Sequence, residues 1–172
     1  MSDDRSPRLS HLDESGRARM VDVSDKPISR RLALAEGTVT MGRETLAAIR
    51  RGETPKGDVL TVARLAAIGG AKRTAELIPL CHPLPIEAVD VEIDLDENLP
   101  GLRLRVRVSA ESRTGVEMEA MSAVAIGALA VYDMVKGIDR GLAIGPIRLL
   151  EKRGGRSGTW TAAPLRPTGR DE

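Results

Sequence analysis

Apolar and polar positions alternate most strictly in the middle of the chain. Val89, Val91, Ile93 and Leu95 alternate with Asp90, Glu92, Asp94 and Asp96, and Leu102, Leu104, Val106 and Val108 alternate with Arg103, Arg105, Arg107 and Ser109. Period two is the signature of half-buried strands. Joined through residues 97–101, the two runs predict a hairpin with one apolar face. The other face sets an acidic strand beside an arginine strand, where each cross-strand pair contributes about 0.2–1 kcal/mol. That charge pattern reads as a solvated face rather than a substrate site. Before the hairpin, residues 29–39 read as extended, and residues 41–51 as a helix that stops at Gly52 with Pro55 just beyond. A second helix is predicted over 58–77, with Asp58 as its N-cap and Pro79 ending it. Gly69 and Gly70 each weaken its middle by roughly 1 kcal/mol relative to Ala, which points to close approach of another backbone. A long helix over 116–136 and a strand over 142–150 complete the order β, α, α, β, β, α, β. This approximates the split βαβ plan with one additional helix, an α+β fold with helices on one sheet face.

Composition narrows the picture. At 172 residues one domain is the default, and a chain of that size buries about 68–70% of its unfolded surface. Residues 18–152 are expected to form this domain; the segments 1–17 and 153–172, rich in Ser, Gly, Pro, Arg and Asp, are expected to be mobile ends. Lysine and arginine number 26 against 25 aspartates and glutamates, a net charge of +1, so no overall field gathers nucleic acid or an anionic membrane. With one Trp, one Tyr and no Phe, the chain lacks the rings on which RNA and single strands stack. Cys81 is the only cysteine, and His11 and His82 are the only histidines. An intrachain disulfide is excluded, and a Cys/His zinc site within one chain is disfavoured. The longest apolar run, Ala123 to Val131, has nine residues, against about 20 for a membrane span; it reads as a buried helix. The opening MSDDRSPRLS has no apolar signal region, so the cytoplasm is the expected compartment.

Two segments place polar residues where a core helix has no need of them. In GVEMEAM, Glu117 and Glu119 flank Met118 at the start of the long helix, where the macrodipole favours anions. Helix-start electrostatics alone accounts for them. Two positions apart, about 200° around a helix, they do not face one substrate as a paired acid and base. In YDMVK, Asp133 and Lys136 stand at i, i+3 on one face. They form either a plain surface ion pair or a lysine tuned by a carboxylate for proton transfer. The loop LIPLCHPLP is stiffened by Pro79, Pro83 and Pro85. His82 there can bond a phosphate, act near neutral pH or pin the loop. Cys81 reads as packing, because neighbouring side chains in an extended segment point apart and form no dyad with each other. Lys56, Arg64, Lys72, Arg73 and Lys152 are cations outside any GxxxxGK[ST] phosphate loop; singly they read as solvated charges, clustered they can hold a polyphosphate.

The segments KGDVLTVARLAAIGGAKRTAELIPLCHPLP, TGVEMEAM, YDMVKGID, IGPIRLLEK and GGRSG closely resemble the molybdenum cofactor biosynthesis protein C family over residues 9–158. The resemblance implies a ferredoxin-like α+β fold and a homo-oligomer in which dimers assemble into a hexamer. It also implies conversion of (8S)-3′,8-cyclo-7,8-dihydroguanosine 5′-triphosphate into cyclic pyranopterin monophosphate with release of diphosphate. The family's LCH motif falls on Leu80, Cys81 and His82, its ME motif on Met118 and Glu119, its catalytic aspartate on Asp133, and its functional lysines on Lys56 and Lys136. Glu117 and Lys152 join the substrate-binding set. The chain departs at Val135, where a cysteine is expected, and at Arg153 and Arg156, which replace residues of a KSGGKSG ending. No ligand cluster demands a metal or cofactor, although magnesium can accompany a triphosphate; the implied partner is a small nucleotide-derived molecule, with no nucleic acid and no membrane. On one helix Glu119 and Asp133 lie about 21 Å apart at 1.5 Å per residue, so a single substrate reaches both only if chains combine. Two such helices antiparallel across a two-fold axis supply that site, with His82, Asp133, Lys136 and Lys56 mainly from one subunit and Met118 and Glu119 from its partner. The small residues Ala123, Ala125, Gly127, Ala128 and Ala130 suit that approach, and equally suit burial against the chain's own sheet. Two competing classes are a binding module without turnover and a nucleotide phosphohydrolase, the latter requiring a metal cage or covalent nucleophile.

Overall fold

The structure, a computed structural model, describes residues 15–164. In chain order it contains β1 (Ser29–Thr40), α1 (Arg43–Arg51), α2 (Val59–Lys72), α3 (Thr74–Leu77), β2 (Ile86–Asp96), β3 (Gly101–Ser112), α4 (Glu117–Val135), β4 (Ala143–Ile144), β5 (Arg148–Arg153) and β6 (Trp160–Thr161). The sheet runs β2-β3-β1-β5-β6, with β4 also on β1. β3 separates β1 from β2, and β1 separates β3 from β5, always antiparallel. This is the interleaved ferredoxin-like arrangement of an α+β protein. α2 and α4 lie side by side over one face.

The hairpin forms as expected, and its register sets Asp90 opposite Arg107, Glu92 opposite Arg105 and Asp94 opposite Arg103. Arg103 also meets Asp96 across the hairpin at 3.1 Å, but the other ion pairs of the arginine strand run towards the centre of the sheet. Glu36 on β1, 8% exposed, lies 3.2 Å from Arg105, 3.5 Å from Arg103 and 3.5 Å from Arg148. A buried carboxylate is held there by three guanidiniums.

Three boundaries differ from expectation. The helix predicted over 58–77 starts as foreseen, Asp58 accepting from the Thr61 N–H, but breaks at Arg73. The buried Thr74 hydroxyl donates to the carbonyls of Gly70 and Ala71 and so competes with the helical ladder. The strand predicted over 142–150 is interrupted between Ile144 and Arg148, where Pro146 has no N–H to give. β6 pairs with β5, which carries the sheet past residue 152. Of the ends expected to be mobile, 1–14 and 165–172, with His11, lie outside the described residues.

The core is built from small side chains: Ala33, Ala35, Leu102, Leu104, Val106 and Val108 of the sheet meet Ala63, Ala67 and Ala71 of α2 and Ala120, Val124 and Val131 of α4. With no phenylalanine to separate them, the layers come close. A Cβ on Gly70 would stand 2.9 Å from Ile126 Cβ and 3.1 Å from the Ser122 carbonyl. Gly70 thus marks the expected close approach, whereas the same addition at Gly69 meets nothing within 4 Å. α4 has the length and apolarity of a membrane span, yet it serves as the core helix, largely buried against β1, β3 and α2. Ala123, Gly127 and Ala128 are spent on that burial; Ala125 and Ala130 are only partly covered.

Candidate active site

Two clusters form, one at each end of α4. At its C-terminal end, helical periodicity sets Asp133 beside Lys136, and the loop between α1 and α2 brings in Lys56. Both amines stand 2.8 Å from Asp133, one on each carboxylate oxygen. Hydrogen bonds from Lys136 and then Lys56 hold the Asp133 carboxyl well below its ordinary range, at about 2. Lys136 is pushed up in turn, chiefly by its bond to Asp133. The following turn is tied down by Asp139, whose carboxylate accepts from the Gly42 N–H at 2.9 Å, the Thr45 hydroxyl at 3.1 Å and the Gly141 N–H at 2.8 Å. This caps α1 from 97 positions away in sequence and ties the turn after α4 to the start of α1.

At the N-terminal end, Leu80, Cys81 and His82 face Glu117, Met118 and Glu119 across a cavity of about 230 Å³. Glu119 is 4% exposed. Burial pushes its carboxyl up, and the charge of Glu117 adds to the effect. Burial also pushes the Cys81 thiol up, with Glu119 contributing. A thiol so held is a poor nucleophile, in keeping with a packing role. Glu117 is paired with Lys152 at 3.0 Å. His82 also lines a recess with Lys72, Thr74 and Glu76.

The ten candidate residues therefore fall into a triad, Lys56, Asp133 and Lys136, and a pocket set, Leu80, Cys81, His82, Glu117, Met118, Glu119 and Lys152. Because α4 is one continuous helix, the 14-residue interval from Glu119 to Asp133 leaves them about 21 Å apart in a chain. Arg64 serves elsewhere, donating to the Val91 carbonyl. Sequence reasoning missed Val21, Val23 and Lys26, which close the pocket from the segment before β1; the brief alternation of Val21 and Val23 was the only signal. Among the described residues, no group of three or more His, Cys, Asp or Glu side chains is placed to hold a metal ion.

A model of the MoaC family matches residues 20–155. A cyclic pyranopterin monophosphate synthase of Thermomicrobium roseum is 59% identical over 152 residues, covering 88% of this chain and 92% of the relative. Another of that name, from Cereibacter sphaeroides, is 56% identical over 155 residues, covering 90% and 98%.

Proposed function

This chain belongs to the MoaC family, and on that premise we propose that it is a cyclic pyranopterin monophosphate synthase, a lyase of molybdenum cofactor biosynthesis acting in the cytoplasm. Its substrate is (8S)-3′,8-cyclo-7,8-dihydroguanosine 5′-triphosphate, and its products are cyclic pyranopterin monophosphate and diphosphate. The observation that carries the reading beyond kinship is Asp133 held between the amines of Lys56 and Lys136.

The reaction has two parts. Rearranging the purine-derived rings moves protons at carbon, nitrogen and oxygen. Closing the cyclic phosphate then forms a bond from a sugar hydroxyl oxygen to the α-phosphorus, breaks the bond from that phosphorus to the bridging oxygen, and leaves diphosphate. With its carboxyl low, Asp133 is a weak base near neutral pH; its work is to orient two ammonium groups. Lys136, kept charged by Asp133, is placed to donate a proton, and both amines stabilise charge on departing oxygens. Glu119, raised by its burial, is the carboxyl better suited to exchange a proton with bound substrate. Magnesium enters with the triphosphate rather than through a protein cage.

The separation of the two clusters supports a site shared between subunits. Leu65 on α2 is 64% exposed, and Leu129 on α4 is 54% exposed. A second copy, packed antiparallel on this helical layer, covers them and brings its Glu119 towards Asp133; three such dimers form the hexamer. Mixing a Glu119→Ala chain with an Asp133→Ala chain regains activity if the site is shared. No recovery, with subunit exchange confirmed, rejects the shared site. The activity is tested by incubating the protein with the cyclised nucleotide and assaying diphosphate and pterin release.

A further inference from the structure

Lys136 stands beside Asp133 because both ride on the end of α4. Lys56 comes from 77 positions away, and its ion pair is too open to keep it there. The lysine side chain is 46% exposed and the carboxylate 55%, and pairs so accessible to water hold little by themselves. The hold has to come from the chain that carries Lys56.

That chain is restrained at its tip and at both ends. Residues 54–57 form a β-turn closed by the Gly57 N–H, which donates to the Thr54 carbonyl at 3.1 Å. Pro55 fixes the first central position and Lys56 occupies the second. Thr54, 9% exposed, closes the turn a second time, its hydroxyl donating to the Gly57 carbonyl. Gly57 has a φ of 88°, a conformation that favours glycine. Asp58, the next residue, caps α2 and anchors the turn there. On the other side, the N–H groups of Gly52 and Glu53 donate to the Ile49 and Ala48 carbonyls and close α1. The start of α1 is in turn tied to Asp139 through Gly42 and Thr45. Asp139 is itself wound back on α4, its N–H donating to the Val135 carbonyl at 3.0 Å. Asp133 and Asp139, neighbours at the end of α4, therefore grip the two ends of one stretch, 42–57.

We propose that Thr54 and Asp139 are positioning residues, which hold this stretch so that the Lys56 amine already stands on Asp133 when substrate arrives. Both act through Lys56. A misplacement of about 1 Å can cost about 10²-fold in rate, so an amine set in advance by the backbone matters more than the weak pull of its ion pair. That Lys56 then serves turnover rests on the function proposed above; its placement by Thr54 and Asp139 does not.

Acylation of the intact protein with an amine-selective reagent, read by mass spectrometry as the rate at Lys56 relative to Lys72, tests the placement without turnover. Only the neutral amine is acylated, so pairing with Asp133 slows the reaction. Asp133→Ala should speed labelling of Lys56 by about two- to fivefold, the weight of an exposed ion pair. Thr54→Val, which keeps the shape and removes the hydroxyl, and Asp139→Ala should approach the same rate; Thr54→Ser should stay at that of the unaltered chain. With the cyclised nucleotide, Thr54→Val and Asp139→Ala should each lower kcat at least about tenfold, whereas Thr54→Ser should retain it. In a Lys56→Ala chain, Thr54→Val should cost nothing further and Asp139→Ala less than it does alone. Unchanged labelling of Lys56 in either variant, or the same fold loss with and without Lys56, would overturn the proposal. Faster labelling in a protein that does not convert the cyclised nucleotide would keep the placement and reject the proposed activity.

Discussion

At the start of α4, Glu119 is 4% exposed and its carboxyl is pushed up by burial; near the other end, Asp133 lies open between two lysines and is held at about 2. Both are carboxylic acids on one helix, and their surroundings drive their proton affinities apart. Desolvation penalises the charge at the first, while two ammonium groups reward it at the second. Of the two, the buried one is therefore the acid that holds its proton more readily, and the exposed one serves as an anchor for cations.

The strongest blow to this contrast is Lys136→Ala. Positioned acid–base groups contribute about 10²- to 10⁴-fold, so turnover should fall by at least about 10² while scattering and circular dichroism show an unchanged assembly. Near-normal turnover would take Lys136 out of the chemistry. Gly70→Ala strikes between the two ends, where α2 crosses α4. It should cost about 1–3 kcal/mol in urea unfolding; an unchanged midpoint would mean that the layers are less closely packed than described.

Two isosteric variants sharpen the contrast by their opposite pH dependence. The folded-state carboxyl of Glu119 lies above its unfolded value of 4.5, so stability is lost as pH rises through the folded value. Glu119→Gln should raise Tm at neutral pH, and the gain should vanish below about pH 4. Asp133 lies below its unfolded value of 3.8, so its contribution is present above that value and fades as pH falls towards about 2. Asp133→Asn should lower Tm slightly near neutral pH, with the gap narrowing only as pH falls from about 4 towards about 2. This is the smallest effect, because the group is exposed and its partners are screened. Thermal scans across pH in which both variants shift the same way would remove the contrast.

Much of the fold was legible because its signals are local. The alternation over 89–108 announced the hairpin and its apolar face, Asp58 announced α2, and the apolar run after Met118 announced the core helix. The pairing of Asp133 with Lys136 was readable from i, i+3 spacing for the same reason. Where prediction erred, nearby signals gave way to local exceptions: a hydroxyl at Thr74 that turned back on its helix, and Pro146 with no N–H for the sheet.

The sequence by itself determined the elements, their apolar faces, the two clusters on α4 and the family to which they point. Only the tertiary structure decided that Lys56 reaches Asp133 across 77 positions, that Glu36 collects three arginines, and that Asp139 caps α1. The physical reason is range. Propensity, capping and alternation act over a few neighbouring residues, whereas these meetings depend on strand order and on how closely two helices can lie over the sheet.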